Sequence, residues 1–189
     1  MVQTIYLASK SPRRHEIFKL AGLEFTYIES SYEEVIPLHI GNPEEIPVWL
    51  AEQKAIHTDV DLKGSILVTA DTLVFLENRI LGKPKDAAQA LEFLQALSGR
   101  MHRVISGVCL KTETETLLIS DVTNVYFRDL TTEELFYYIE TCKPFDKAGA
   151  YGAQDWLGIV GIEKIEGSYF NVMGFPMHKV YPLLRRGKL

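Results

Sequence analysis

The stretch Leu7–Gly22, LASKSPRRHEIFKLAG, reads as the end of a strand turning into a helix. Ser11 is a good N-cap, Pro12 suits the first helical position, and Ile17, Phe18, Leu20 and Ala21 supply an apolar face. Arg13 and Arg14 then fall in the first turn, where the helix dipole and the free backbone N–H groups favour negative charge. A cation placed there forgoes about 0.3–1 kcal/mol of dipole stabilisation. Either both arginines extend into solvent, where that loss is small, or an anion sits between them and the exposed N–H groups. Ser9 and Ser11 add hydroxyl donors beside the same helix start, and the planar guanidinium fork matches phosphate oxygens, so the anion is the favoured reading.

Working outward from this turn, apolar β-rich stretches occur at 4–8, 25–28, 66–75, 104–110, 116–127 and 157–163. Helical patterns fall at 11–21, around 48–57, and at 86–97, 131–140 and 176–185. Strands that alternate with helices early and then follow one another in the middle of the chain indicate an α/β fold with a mixed β-sheet. Three later helices start conventionally. Asn42 precedes Glu44 and Glu45, Asp86 has Gln89 three residues on, and Thr131 has Glu134 three residues on. The first helix inverts their pattern.

The 189 residues suit one domain, 1–189, or two tightly joined lobes, and 47% hydrophobic content is ample for a core. No linker, repeat or low-complexity tract divides the chain, and SYEEVIPLHIGNPEEIP is its one long irregular stretch. With 20 Lys and Arg against 25 Asp and Glu, the net charge of −5 disfavours a nucleic-acid-coating surface or a polybasic membrane patch. Any polyanion it binds is expected to be small and held locally. The amino terminus has no signal-like pattern and no run approaches a membrane span, so a cytoplasmic protein is expected. Cys109 and Cys142 lack metal-site spacing and read as buried reduced thiols.

Three charged groups need partners. Asp71 interrupts the apolar run ILVTADTLVF, where a carboxylate must be hydrogen-bonded, paired or on a metal. It is either satisfied by backbone N–H groups at a bend or serves as a metal ligand or general base. Lys54 lies one turn from Leu50 and Ala51, on the apolar side of its helix, as a stem over the core or as a site lysine. Lys83 in GKPK precedes a helix but lacks the P-loop spacing, and alone it reads as an exposed turn. The five histidines show no zincin spacing and no Gly-x-Ser-x-Gly elbow is present, which disfavours a zinc hydrolase or serine esterase. Carboxylates are the available hard ligands, suiting Mg²⁺ or Mn²⁺ assisted by phosphates.

SKSPRR, the acid pair in SYEEV, Lys54 in AEQKA, TADTLV, LGKPKDAAQAL, LSGRMHRVISGV, FDKAGAYGAQ and GSYFNVMGFP occur together and in order. This set, from Leu7 to about Pro176, resembles the Maf family of nucleotide pyrophosphatases. The resemblance implies an elongated mixed sheet flanked by helices, related to the inosine triphosphatases, with two lobes around a central cleft and often a homodimer. It implies hydrolysis of a nucleoside triphosphate to monophosphate and diphosphate with a divalent cation, Mg²⁺, Mn²⁺ or Co²⁺. KAGAYGAQ is similar to the branch acting on dTTP and UTP. On the same grounds Asp71 matches the catalytic acid, Arg13, Thr72 and Gln154 match positions tied to base selection, and Ser9, Arg14, Glu34, Lys54 and Lys83 match the polar cleft. Glu34 and Asp71 are the expected metal ligands, with Ser11 beside the phosphates. The chain departs from the commoner pattern at Asp155–Trp156, where glycines are more usual, and at Phe175. Pyrophosphatases for ITP or 7-methyl-GTP, and a nucleotide-binding regulator of cell division without turnover, are the competing readings.

Overall fold

The computed structural model describes residues 3–33, 35–37 and 40–186. In chain order the elements are β1 (Thr4–Ala8), α1 (Pro12–Leu20), β2 (Thr26–Tyr27), a 3₁₀ turn at Pro43–Glu45, α2 (Ile46–Ile56), β3 (Ser65–Leu76), β4 (Arg79–Leu81), α3 (Ala87–Leu97), β5 (Met101–Lys111) and β6 (Thr116–Phe127). There follow α4 (Thr132–Cys142), a 3₁₀ turn at Ala148–Ala150, α5 (Trp156–Gly161), β7 (Ile162–Glu166), α6 (Tyr169–Val172) and α7 (Met177–Arg186).

The strands form a seven-stranded sheet in the order β2-β1-β3-β5-β6-β7, with β4 beside β3. β1 runs parallel to both β2 and β3, whereas β3–β4 and β6–β7 are antiparallel, so the sheet is mixed as the alternation of elements implies. Two of the later helix caps form as the sequence dictates, whereas Asn42 caps the 3₁₀ turn Pro43–Glu45 and α2 itself starts without a side-chain cap. Asp86 accepts from Gln89 N at 2.8 Å, and Thr131 and Glu134 complete a reciprocal capping box on α4.

Two compact units emerge from the packing. The first comprises 1–72, 106–121 and 174–189, and the second 73–105 and 122–173. In the first unit Phe18 and Phe175, both fully buried, meet edge to face with ring centres 5.0 Å apart. Ala8, Ala51, Ala55, Leu67 and Cys109 form a small-residue cluster that lets α2 lie close on the sheet. In the second unit α3 and α4 cover a larger core that includes Leu94, Leu97, Phe127, Tyr138 and Leu157. Of the two free cysteines, Cys109 is buried as expected while Cys142 is only partly covered, near the end of α4.

The strand expected at 157–163 is instead α5 followed by β7. Ile159, Val160 and Ile162 favour a strand locally, but burial falls at Leu157, Gly158 and Gly161 while Ile159 is 74% exposed. That spacing is helical, since a strand would bury 157 and 159 together. Tertiary packing of Leu157 on α4 thus overrides local propensity.

Candidate functional site

β1 pairs with β3 as far as Ala8 opposite Thr69, so Asp71 and Thr72 extend two and three residues beyond the last pair. They lie beside the β1–α1 turn, at the carboxyl end of a parallel trio of strands, where α/β sheets commonly hold ligands. Pleating sends consecutive side chains to opposite sides, and here each finds a cation.

On one side Lys54 from α2 donates to Asp71 Oδ1 at 2.6 Å and to Ala70 O at 3.3 Å. Both side chains are only 9% exposed. α2 is seated on β3 one turn earlier by the Thr69 hydroxyl, which donates to Ala51 O at 2.5 Å. Lys54 thus lies on the apolar side of its helix as expected, and its ammonium is the partner that the buried Asp71 carboxylate requires, in place of the backbone N–H groups considered for it.

On the other side Arg14 is buried at 9% exposure and ties three separate segments together. Its Nε donates to Gly174 O at 2.8 Å, one terminal nitrogen donates to Ser9 Oγ at 3.1 Å and the other to Thr72 Oγ1 at 3.2 Å. Thr72 Oγ1 lies 2.8 Å from Ser106 Oγ on β5. Ser9 Oγ also accepts from Ser11 N at 3.3 Å, and Ser9 O lies 2.6 Å from His15 Nε2, fixing the turn before α1. Ser11 caps α1 through its extended backbone without a side-chain hydrogen bond, and no acid occupies the first turn. Arg14 is thus an internal brace, and Arg13 beside it is partly exposed.

Ser9, Ser11, Arg14, Lys54, Asp71 and Thr72 are brought together within the first unit, which also contains Arg13. Lys83 and Gln154 belong to the second unit, Lys83 exposed between β4 and α3 and Gln154 partly covered just before α5. Glu34 lies outside the described residues. Among the described residues, no three His, Cys, Asp or Glu side chains gather to hold a metal by themselves. Asp71 nonetheless presents Oδ2 besides the oxygen taken by Lys54, a hard donor that suits a small divalent cation sharing its coordination with phosphate oxygens and water. Gln154 Oε1 is buried with no hydrogen-bond partner.

Ser106 and the Gly174 carbonyl were not singled out from the sequence. A serine inside the apolar strand VISGVCL is a signal that could have found the first. A main-chain carbonyl leaves no trace in residue identity.

Residues 4–187 match the family described as Maf-like protein. Among curated relatives, a dTTP/UTP pyrophosphatase of Flavobacterium johnsoniae is 48% identical over 181 residues, covering 95% of this chain and 93% of the relative. One of Flavobacterium psychrophilum is 49% identical over 178 residues, covering 94% and 91%. A protein of the same name from Thermosipho africanus is 45% identical over 181 residues, covering 95% and 91%.

Proposed function

Because the chain belongs to the Maf-like family, we propose that it hydrolyses the nucleoside triphosphates UTP and dTTP to monophosphate and diphosphate. The observation that carries this reading is the pair of neighbours Asp71 and Thr72, which join a buried carboxylate–lysine pair to an arginine-braced, serine-rich helix start. The names of relatives covering more than nine-tenths of both chains support the substrate.

Arg13, Arg14, Lys54 and Lys83 supply positive charge for the triphosphate, with Ser9 and Ser11 at its phosphates. Water attacks the α-phosphorus and the bond to the bridging oxygen breaks, expelling diphosphate. Charge grows on the leaving group, so cations stabilise the transition state more than the ground state. Asp71 and Glu34 would hold a divalent cation, which supplies charge neutralisation and a more acidic water when bound. The water's proton passes to a carboxylate, Asp71 first, with Glu33 or Glu34 sharing that duty because one residue does not act as tight ligand and free base at once. Gln154 meets the base, with Thr72 and Arg13 contributing to its selection. The buried amide oxygen of Gln154 suits the N3–H donor of uracil or thymine. The enzyme is expected to act in the cytoplasm, as a homodimer, without nucleic acid.

A panel of nucleoside triphosphates assayed with Mg²⁺, Mn²⁺ and Co²⁺ tests the proposal. UTP and dTTP are expected to give monophosphate and diphosphate, and Asp71→Asn to lower that release by about 10²–10⁴-fold. Binding of UTP without diphosphate release by the unaltered protein would overturn it.

A further inference from the structure

Ser106 lies within β5, in the apolar run VISGVCL, and is fully buried. A buried hydroxyl is unfavourable unless it is hydrogen-bonded, so a serine in a strand that alanine would leave wholly apolar calls for a partner. Its Oγ lies 2.8 Å from Thr72 Oγ1 on β3, and either oxygen of this pair can be the donor. Both residues belong to the first unit, together with Arg14 and Gly174.

Thr72 Oγ1 has two further neighbours. It accepts from a terminal nitrogen of Arg14 at 3.2 Å and donates to Gly174 O at 3.3 Å. A hydroxyl offers one proton and two lone pairs, and the three neighbours match that number, so the Thr72 oxygen is committed inside the protein. Its contribution to the substrate then passes through the groups it holds, Arg14 first. Arg14 in turn is turned in one direction by Gly174 O on Nε, Ser9 Oγ on one terminal nitrogen and Thr72 Oγ1 on the other. A planar fork recognises phosphate oxygens only when its plane is set, because two of its bonds must align at once. We propose that Ser106 is a positioning residue: by holding the Thr72 hydroxyl where it accepts from Arg14, it fixes the plane in which the guanidinium meets phosphate oxygens. This rests on the reading of Arg14 as a triphosphate-binding residue.

The test measures binding of inorganic tripolyphosphate with Mg²⁺ by calorimetry, beside kcat and KM for UTP. It uses the full-length protein, its Ser106→Ala, Ser106→Thr, Thr72→Val and Arg14→Lys variants, and the Ser106→Ala/Arg14→Lys pair, at a temperature where melting curves show each to be folded. Tripolyphosphate carries no base, so it reports the phosphate side alone. Ser106→Ala and Thr72→Val are each expected to weaken its binding by roughly tenfold, the scale of one hydrogen bond. Ser106→Thr keeps the hydroxyl and is expected to restore most of the affinity. Adding Ser106→Ala to Arg14→Lys is expected to weaken binding no further. A merely structural role would lower the melting temperature without moving the Kd of the folded protein, so an unchanged Kd in Ser106→Ala overturns the positioning role. A loss that adds in full to that of Arg14→Lys overturns it as well, since Ser106 would then not act through Arg14. Tripolyphosphate binding that is indifferent to Arg14→Lys overturns the phosphate reading of Arg14 and the positioning role together. Affinity that follows Ser106 as expected, in a protein that releases no diphosphate from UTP, upholds the positioning role while the hydrolysis reading falls.

Discussion

Lys54 Nζ and Asp71 Oδ1 stand 2.6 Å apart, 17 residues distant in sequence and almost sealed from solvent. A buried pair of this kind is fragile to the loss of one partner, because the survivor is left charged without compensation. Lys54→Met is expected to destabilise the protein by about 3 kcal/mol or more, and Lys54→Met with Asp71→Leu to regain much of that while remaining inactive. Chemical denaturation of the two variants with an assay of diphosphate release checks this. Equal instability of the single and double variants would show that the pair does not act as a unit.

Arg13 and Arg14 are neighbours with different work. Arg14 braces Ser9, Thr72 and Gly174, and its three acceptors lose their donor when it is removed. Arg14→Ala is expected to lower stability by about 2–3 kcal/mol as well as activity, and Arg14→Lys to recover little, since an ammonium lacks the fork that reaches three directions. Arg13→Ala is expected to raise KM with a melting temperature almost unchanged. Melting curves measured beside kcat and KM separate the two. A melting temperature that drops as far for Arg13→Ala as for Arg14→Ala would refute the division.

Gly107 on β5 lies against the first turn of α2, where a Cβ would collide with Val48 N and with the Pro47 carbonyl. Backbone cannot step aside as a flexible side chain does. Gly107→Ala is expected to destabilise by about 3 kcal/mol or more and to displace the helix that carries Lys54. Its activity is expected to fall beyond what the unfolded fraction explains, measured at a temperature well below the melting point.

His102 is 1% exposed, and burial pushes its pKa down from 6.5 to about 3. The unfolded chain takes up this proton near 6.5 whereas the native state refuses it until about 3, so the unfolded state binds more protons throughout that window. Stability is therefore expected to fall as the pH drops, by up to about 1.4 kcal/mol per unit from this group. Urea midpoints measured across the window should decline, and His102→Gln, which keeps a polar partner for Tyr151, should flatten the decline. An equally steep decline in the variant would assign the acid lability to other groups.

What could be read along the chain is what short separations decide. The box between Thr131 and Glu134 and the cap from Asp86 to Gln89 each span three residues, and both form as written. The inverted first turn of α1 and the unusual carboxylate in β3 were visible for the same reason, as residues at odds with their immediate surroundings. Local reading failed at α5, where Ile159 and Val160 prefer a strand but Leu157 is captured by the core of the second unit.

The sequence by itself determined the α/β alternation, the capped helices and a cluster of charges in need of partners, because periodicity and capping act over one or two turns. The tertiary structure alone decided who the partners are: Lys54 for Asp71, and for Arg14 a carbonyl 160 residues away at Gly174 and a hydroxyl 58 residues away at Thr72. Residue type states that a buried charge must be compensated. Which group compensates it depends on chain paths that meet only when the sheet is assembled.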